Sequence, residues 1–156
     1  MSETPVLSFI KTDSGSPDFV TLAALLDQDL AIRDGDEHAF YAHFNKAYDI
    51  RHVIICYYEN KPIACGAFKA FDDQSAEIKR MFVLPEHRGR GAGLQVLQQL
   101  ENWVADSGYR YAVLETGKKQ PEAIALYKKA GYHIIPNYGQ YAGIENSVCM
   151  KKEIAP

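Results

Sequence analysis

The sequence predicts an α/β (α+β) domain with a central, mixed, mostly antiparallel sheet of about seven strands, flanked by about four helices. Three observations carry this. Apolar runs rich in β-branched and aromatic residues recur at 6–10, 52–58, 63–71, 76–84, 111–116, 132–135 and 147–154. Between some of them lie stretches whose apolar residues repeat at helical spacing, around 17–33, 37–48, from the glycine turn to about 108, and 121–131. Three of the strands are separated only by turns and so pair antiparallel, whereas the later order strand, helix, strand implies a parallel crossover.

A chain of 156 residues with 47% apolar composition suits one domain, residues 1–156, with a single sizeable core. The net charge of −3 gives no general field for nucleic acid or an anionic membrane, so neither is expected as a partner. The first ten residues lack a basic start and a long apolar stretch, and no segment approaches the ~20 apolar residues that span a bilayer, which suggests a cytoplasmic location. Cys56, Cys65 and Cys149 are odd in number, lack Cys-x-x-Cys spacing and sit among apolar neighbours. Buried thiols are expected, and no metal site.

In chain order, the first strand leads through Asp13-Ser-Gly-Ser-Pro17 to a helix start, with Ser16 as cap and Pro17 in the first turn. Phe19, Leu22, Leu25, Leu26 and Leu30 give that helix its apolar face, and Asp34-Gly-Asp36 breaks it. A second helix over 37–48 carries Phe40, Phe44 and Tyr48 on one stripe, which reads as core packing. The strands at 52–58 and 63–71 form a hairpin through Glu59-Asn-Lys-Pro62, and Asp72-Asp-Gln74 turns the chain into 76–84. Gly66 inside a strand marks a bulge or a close backbone approach. Leu94, Leu97, Leu100 and Val104 define a long helix ending near Gly108, and Pro121 with Gly131 brackets the last one.

The segment 77–93 is where chemistry is expected. Its strand stops at Pro85, which has no N–H for a ladder, and the chain enters the turn His-Arg-Gly-Arg-Gly-Ala-Gly that opens the long helix. First turns of helices favour Asp, Glu or a hydroxyl cap, yet Arg88 and Arg90 add positive charge there. An outside anion would resolve the conflict. Glycines 89, 91 and 93 remove Cβ atoms and permit positive φ, so backbone N–H groups can converge on a pyrophosphate. A solvent-exposed turn whose arginines serve solubility is the plain alternative. No Gly-Lys-Ser/Thr follows, and Leu94 stands where a dinucleotide fingerprint needs glycine, so neither a P-loop nor a Rossmann motif fits.

The arrangement strand, Val-x-Pro-x-x-Arg-Gly-x-Gly-x-Gly, helix resembles the acyl-CoA signature of the GNAT N-acyltransferase superfamily. A second stretch, 114–132, resembles the family's later motif: a strand leading to a helix that bears Ala-x-x-Leu-Tyr and closes at Gly-Tyr. The resemblance implies a sheet splayed in its middle, between the strands ending near Val83 and Thr116. It also implies acetyl-CoA or coenzyme A as cofactor, with pyrophosphate on Arg88, Gly89, Arg90, Gly91, Ala92 and Gly93. Main-chain groups of Met81 and Val83 would then pair with the pantetheine amides, and a bulge around Phe82 would expose an N–H to the thioester.

The implied reaction is direct transfer of an acetyl group to a primary amine. Tyr127 occupies the family's general-acid position, where it would protonate the departing thiolate. Glu77 matches the position at which histone-modifying members carry a general base, with Glu115 on the neighbouring strand as rival and water as a third route. Many members place an Asn on the pantetheine arm where this chain has Gln120. The early helical pair often walls the acceptor site, which implicates Tyr41, His43 and Asn45. The aromatic loop with Asn137, Tyr138 and Tyr141 favours a small-molecule amine acceptor over a protein or peptide amine. A homodimer is compatible with these features. A domain that binds or senses acyl-CoA without transfer is the alternative of another class.

Overall fold

The computed structural model describes residues 6–34 and 49–155. Seven strands form one sheet in the order β1-β2-β3-β4-β5-β7-β6. They are β1 (Leu7–Thr12), β2 (His52–Tyr58), β3 (Lys61–Ala70), β4 (Ser75–Val83), β5 (Tyr111–Gly117), β6 (His133–Ile135) and β7 (Ser147–Glu153). Every neighbouring pair is antiparallel except β4 and β5, which the expected crossover makes parallel. The described residues hold three α-helices, α1 (Pro17–Asp34), α2 (Ala92–Asp106) and α3 (Pro121–Lys129), where about four were expected. The fourth, over 37–48, lies outside the described residues, and so do Tyr41, His43 and Asn45.

Local rules account for the connections. Glu59 and Asn60 both have positive φ, so the β2–β3 hairpin is a two-residue turn of primed type, shorter than the four-residue loop expected. Pro62 therefore lies inside β3, beside a register shift between Cys56 and Tyr57 that absorbs its missing donor. Asp72 accepts hydrogen bonds from the N–H groups of Gln74 and Ser75, which folds the β3–β4 turn. Gly108 and Gly131 take positive φ just past the ends of α2 and α3, where a glycine cap belongs.

The two longer helices cover opposite faces of the sheet. On one face Tyr57 donates a hydrogen bond to Asp18 of α1 at 2.6 Å, and Phe19, Leu22 and Leu26 sit in the core. On the other, His52 and Phe68 stack at 4.4 Å and both meet the Trp103 ring of α2. Tyr132, Glu101 and Lys152 bind α2 to the far end of the sheet: Tyr132 Oη donates to Glu101 Oε2 at 2.8 Å, and Lys152 Nζ to Oε1 at 2.9 Å.

All three cysteines are free and buried. Burial raises the thiols of Cys56 and Cys149 from 9.0 to about 11 and that of Cys65 to about 12. The unfolded chain then loses these protons at lower pH than the fold does, so their contribution is constant below about pH 8 and stability falls as pH rises past about 9. Cys65→Ala is expected to flatten part of that fall. Denaturant midpoints measured from pH 7 to 10.5 in both proteins test it, and equal slopes would contradict it.

Candidate active site

The sheet opens in its middle. β4 pairs with β5 only through Ser75, Ala76 and Glu77, opposite Tyr111, Ala112 and Val113. Beyond Glu77 the two strands have no register partners on each other, while β5 stays paired to β7 as far as Gly117. The second half of β4 thus presents a strand edge inside the fold, at the expected place.

The same half of β4 is bulged. Cys65 pairs with Phe82 and Ala67 with Lys79, so Gly66 faces two residues, Arg80 and Met81. The bulge lies just before Phe82, where it was expected. Arg80 has φ +59°, a left-handed conformation that costs about 1–3 kcal/mol in a residue other than glycine. Its carbonyl accepts a hydrogen bond from Cys65 Sγ at 3.3 Å. The peptide is trans, so the N–H of Met81 points the opposite way, away from Cys65. Gly66 satisfies both earlier readings, a bulge and a close approach: a Cβ there would lie 2.5 Å from Met81 Sδ and 2.7 Å from Leu100 Cδ1.

Below the open edge lies a cleft of about 420 Å³, reaching from the glycine turn along Met81, Phe82 and Val83 to Gln120, just before α3, and Tyr127 within it. A smaller compartment of about 90 Å³ shares Met81, Gln120 and Tyr127 and adds Lys79, Glu115 and Thr116. At the turn, Gly89 and Gly91 have φ +81° and +85°. A Cβ on Gly89 would meet nothing within 4 Å, and one on Gly91 only Gln95 Nε2 at 3.8 Å, so the space over the turn is open. Gly91 caps α2 without any side-chain hydrogen bond, and no acid stands in the first turn. These N–H groups and the helix dipole have no side-chain cap or first-turn acid on α2, and the acids that line the cleft, Asp29 and Glu122, stand on α1 and α3.

The two arginines divide. Arg88 folds back, its Nε donating to the Val83 carbonyl at 2.9 Å and Nη2 lying 3.8 Å from Asp29 of α1. Arg90 lines a separate hollow with Tyr58 and His87 on the other side of the turn. Of the groups expected to meet pantetheine, the Val83 carbonyl thus already accepts a protein donor.

Residues 20–132 match the family model of the GNAT acetyltransferases. The chain belongs to the GNAT acetyltransferase family. It is 36% identical over 94 residues to an IAA acetyltransferase of Azospirillum brasilense, a match covering 59% of this chain and 61% of that protein. The chain therefore spans about three-fifths of that curated relative's length. Its fold matches a protein from Klebsiella pneumoniae with TM-score 0.79 at 24% identity, over 96% of this chain and 98% of the other. A GNAT family acetyltransferase from Elizabethkingia anophelis, with acetyl-CoA bound, matches with TM-score 0.66 at 19% identity, over 94% and 97%.

Tyr127 stands at the junction of the two compartments. It is 6% exposed, and burial, then the Glu115 carboxylate, raise its phenol well above the ordinary value, which keeps it protonated. The two glutamates differ. Glu77 is buried, lines neither compartment, accepts a hydrogen bond from Tyr138 Oη at 3.0 Å and lies 3.9 Å from Lys79 Nζ. Glu115 is half-buried and lines the inner compartment beside Tyr127.

Two residues expected on the acceptor side are engaged within the fold. Tyr141 is 1% exposed and packs with Cys149 in a small second core, so it supports the loop from within and presents no surface to a ligand. Tyr138 is already seated on Glu77 and against Phe71, ring centroids 4.7 Å apart. The sequence reading passed over Lys79 and Arg80. Lys79 is buried between the glutamates, and burial lowers its ammonium pKa while Glu77 opposes the shift. Strand alternation from Glu77 gave a signal for Lys79; Arg80 left none.

Proposed function

We propose that this chain transfers an acetyl group from acetyl-CoA to the primary amine of a small molecule, by direct attack in a ternary complex. The carrying observation is the uncapped, acid-free start of α2 at the head of a cleft that follows an unpaired strand edge to Tyr127. The open space over Gly89 and Gly91 fits a pyrophosphate, and the Elizabethkingia relative's acetyl-CoA supports the assignment. When bound, acetyl-CoA supplies an acetyl group activated as a thioester.

The chain's own groups divide the remaining work. N–H groups of 88–93 hold the phosphates, with Arg88, which lines the cleft, adding charge, while Arg90 as placed faces the separate hollow. The edge at Met81, Phe82 and Val83 accepts pantetheine as a further strand would be accepted, and Gln120 contacts its arm. The Met81 N–H stabilises negative charge on the thioester oxygen. Tyr127, held neutral, gives a proton to the leaving sulfur.

The acceptor must arrive or become neutral, and a lysine-type amine of pKa ~10.4 is neutral in fewer than about one molecule in a thousand at pH 7. Glu115 is the carboxylate that faces the compartment, and we assign it the proton, directly or through water. Glu77 acts from behind by holding Lys79 and Tyr138. Glu115→Gln is therefore expected to depress kcat more than Glu77→Gln, most strongly at low pH, with recovery as pH rises and the amine deprotonates unaided. Profiles displaced in the reverse order would return the role to Glu77.

The function itself is tested by thermal shift with coenzyme A, then by thiol release from acetyl-CoA over an amine panel with products read by mass spectrometry. Binding without release from any amine would leave a coenzyme-A-binding module, and no shift at saturation would end the cofactor assignment.

A further inference from the structure

The left-handed residue at the bulge is an arginine, a residue with no intrinsic preference for that conformation. Something outside β4 must hold it there. Its side chain is 2% exposed and reaches α1, where Nη2 donates to the Ala23 carbonyl at 2.9 Å and to Asp27 Oδ1 at 2.9 Å. Two further contacts fix the same peptide: Cys65 Sγ binds the Arg80 carbonyl, and Gly66 leaves room for the displaced Met81 side chain. Leu26 and Asp29 of this stretch of α1 also line the cleft.

We propose that the Arg80–Asp27 bracket is a positioning device: α1 grips the guanidinium, holds the strained bulge and so turns the Met81 N–H toward the acyl group. The inference rests on the acetyl-CoA reading above. A guanidinium suits the task because the two N–H bonds of Nη2 are fixed in its plane and donate to a carbonyl and a carboxylate at once, where an ammonium on a flexible stem does not fix direction. Asp27 is half-exposed, so its carboxylate keeps contact with water while anchoring a buried partner. Arg80 does not line the cleft that starts at the glycine turn and only borders the inner compartment; its role is to act through Met81.

The test compares wild type with Arg80→Lys and, should that variant fold poorly, Asp27→Asn, which removes charge at a half-exposed site. Three readouts are taken: kcat and KM for acetyl-CoA, melting temperature, and the infrared stretch of acetyl-CoA carrying ¹³C at its carbonyl, measured on the bound complex without acceptor. In wild type the bound carbonyl is expected at lower wavenumber than in free acetyl-CoA. In Arg80→Lys that shift should shrink toward the free value and kcat should fall by up to about 10²-fold, the effect of misplacing a group by an ångström. KM should stay within about threefold, because the phosphate contacts are untouched. Asp27→Asn should move both quantities the same way by less.

A lower melting temperature with unchanged kcat and carbonyl shift would make the bracket merely structural and overturn the proposal. So would a wild-type complex whose carbonyl is unshifted, or acetyl-CoA that fails to bind. A shifted carbonyl that depends on Arg80, in a protein that acetylates no amine, would keep the bracket and refute the transferase reading.

Discussion

Tyr127→Phe is expected to lower kcat by about 10²–10⁴-fold, or roughly 3–5 kcal/mol of barrier, with fold and coenzyme A affinity kept. The reason is positional and electrostatic together. The ring is buried against Tyr132, centroids 5.9 Å apart, and phenylalanine keeps that edge contact. What it removes is a hydroxyl at the meeting point of the two compartments, in an environment where burial and Glu115 hold the phenol neutral. A raised acid stays a donor at every pH below its ordinary value near 10, so the wild-type profile should show no alkaline loss from Tyr127 in the neutral range. The measurement is paired: single-turnover rate beside melting temperature and coenzyme A affinity. A rate within about threefold of wild type would make Tyr127 a packing residue and favour a domain that binds coenzyme A without transfer.

Much of this site was legible because it breaks sequence rules in the open. Arginines and glycines replace acids and caps at the start of α2, and Pro85 tells where the preceding strand stops. The three consecutive antiparallel strands and the crossover followed from turns and periodicity, whereas the β2–β3 turn is two residues where four were expected. Among the residues themselves only its partner Gly66 signalled the bulge, and the family resemblance placed it around Phe82. Its own residues carry no local signal, because the φ of Arg80 is set by Ala23 and Asp27, more than fifty positions earlier.

The acceptor side was harder for a similar reason. Strand alternation places Glu77 and Lys79 on one face, but Tyr138 reaches Glu77 from the loop between β6 and β7, 61 residues on. Aromatic residues in that loop suggested a small-molecule acceptor. In the fold Tyr141 is spent on burying the loop's own underside, a division no spacing rule reveals. Arg88 and Arg90 looked alike in the sequence, yet one returns to β4 and α1 while the other turns to a different hollow. Both choices depend on where neighbouring elements stand.

The second large effect is expected at Gly91. Coenzyme A at about a hundredfold excess over Kd should stabilise wild type by roughly 2.7 kcal/mol, which for a chain of this size raises Tm by about 5–10 °C. Gly91→Val should abolish that gain. Its φ of +85° disfavours a β-branched side chain, and the residue stands at the lip of the cleft where free N–H groups of α2 meet an open space. Lower stability alone would not establish this, so the comparison needs a glycine with the same backbone demand and no cleft. Gly108 supplies it: φ is +93°, a Cβ there would meet nothing within 4 Å, and it lies past the other end of α2. Gly108→Val should lower the ligand-free Tm by a similar amount and retain the full coenzyme A shift. If Gly91→Val also retains it, the phosphates are not held at this turn. If both variants lose it, the backbone strain acts through α2 as a whole, and the direct-contact account of Gly91 fails.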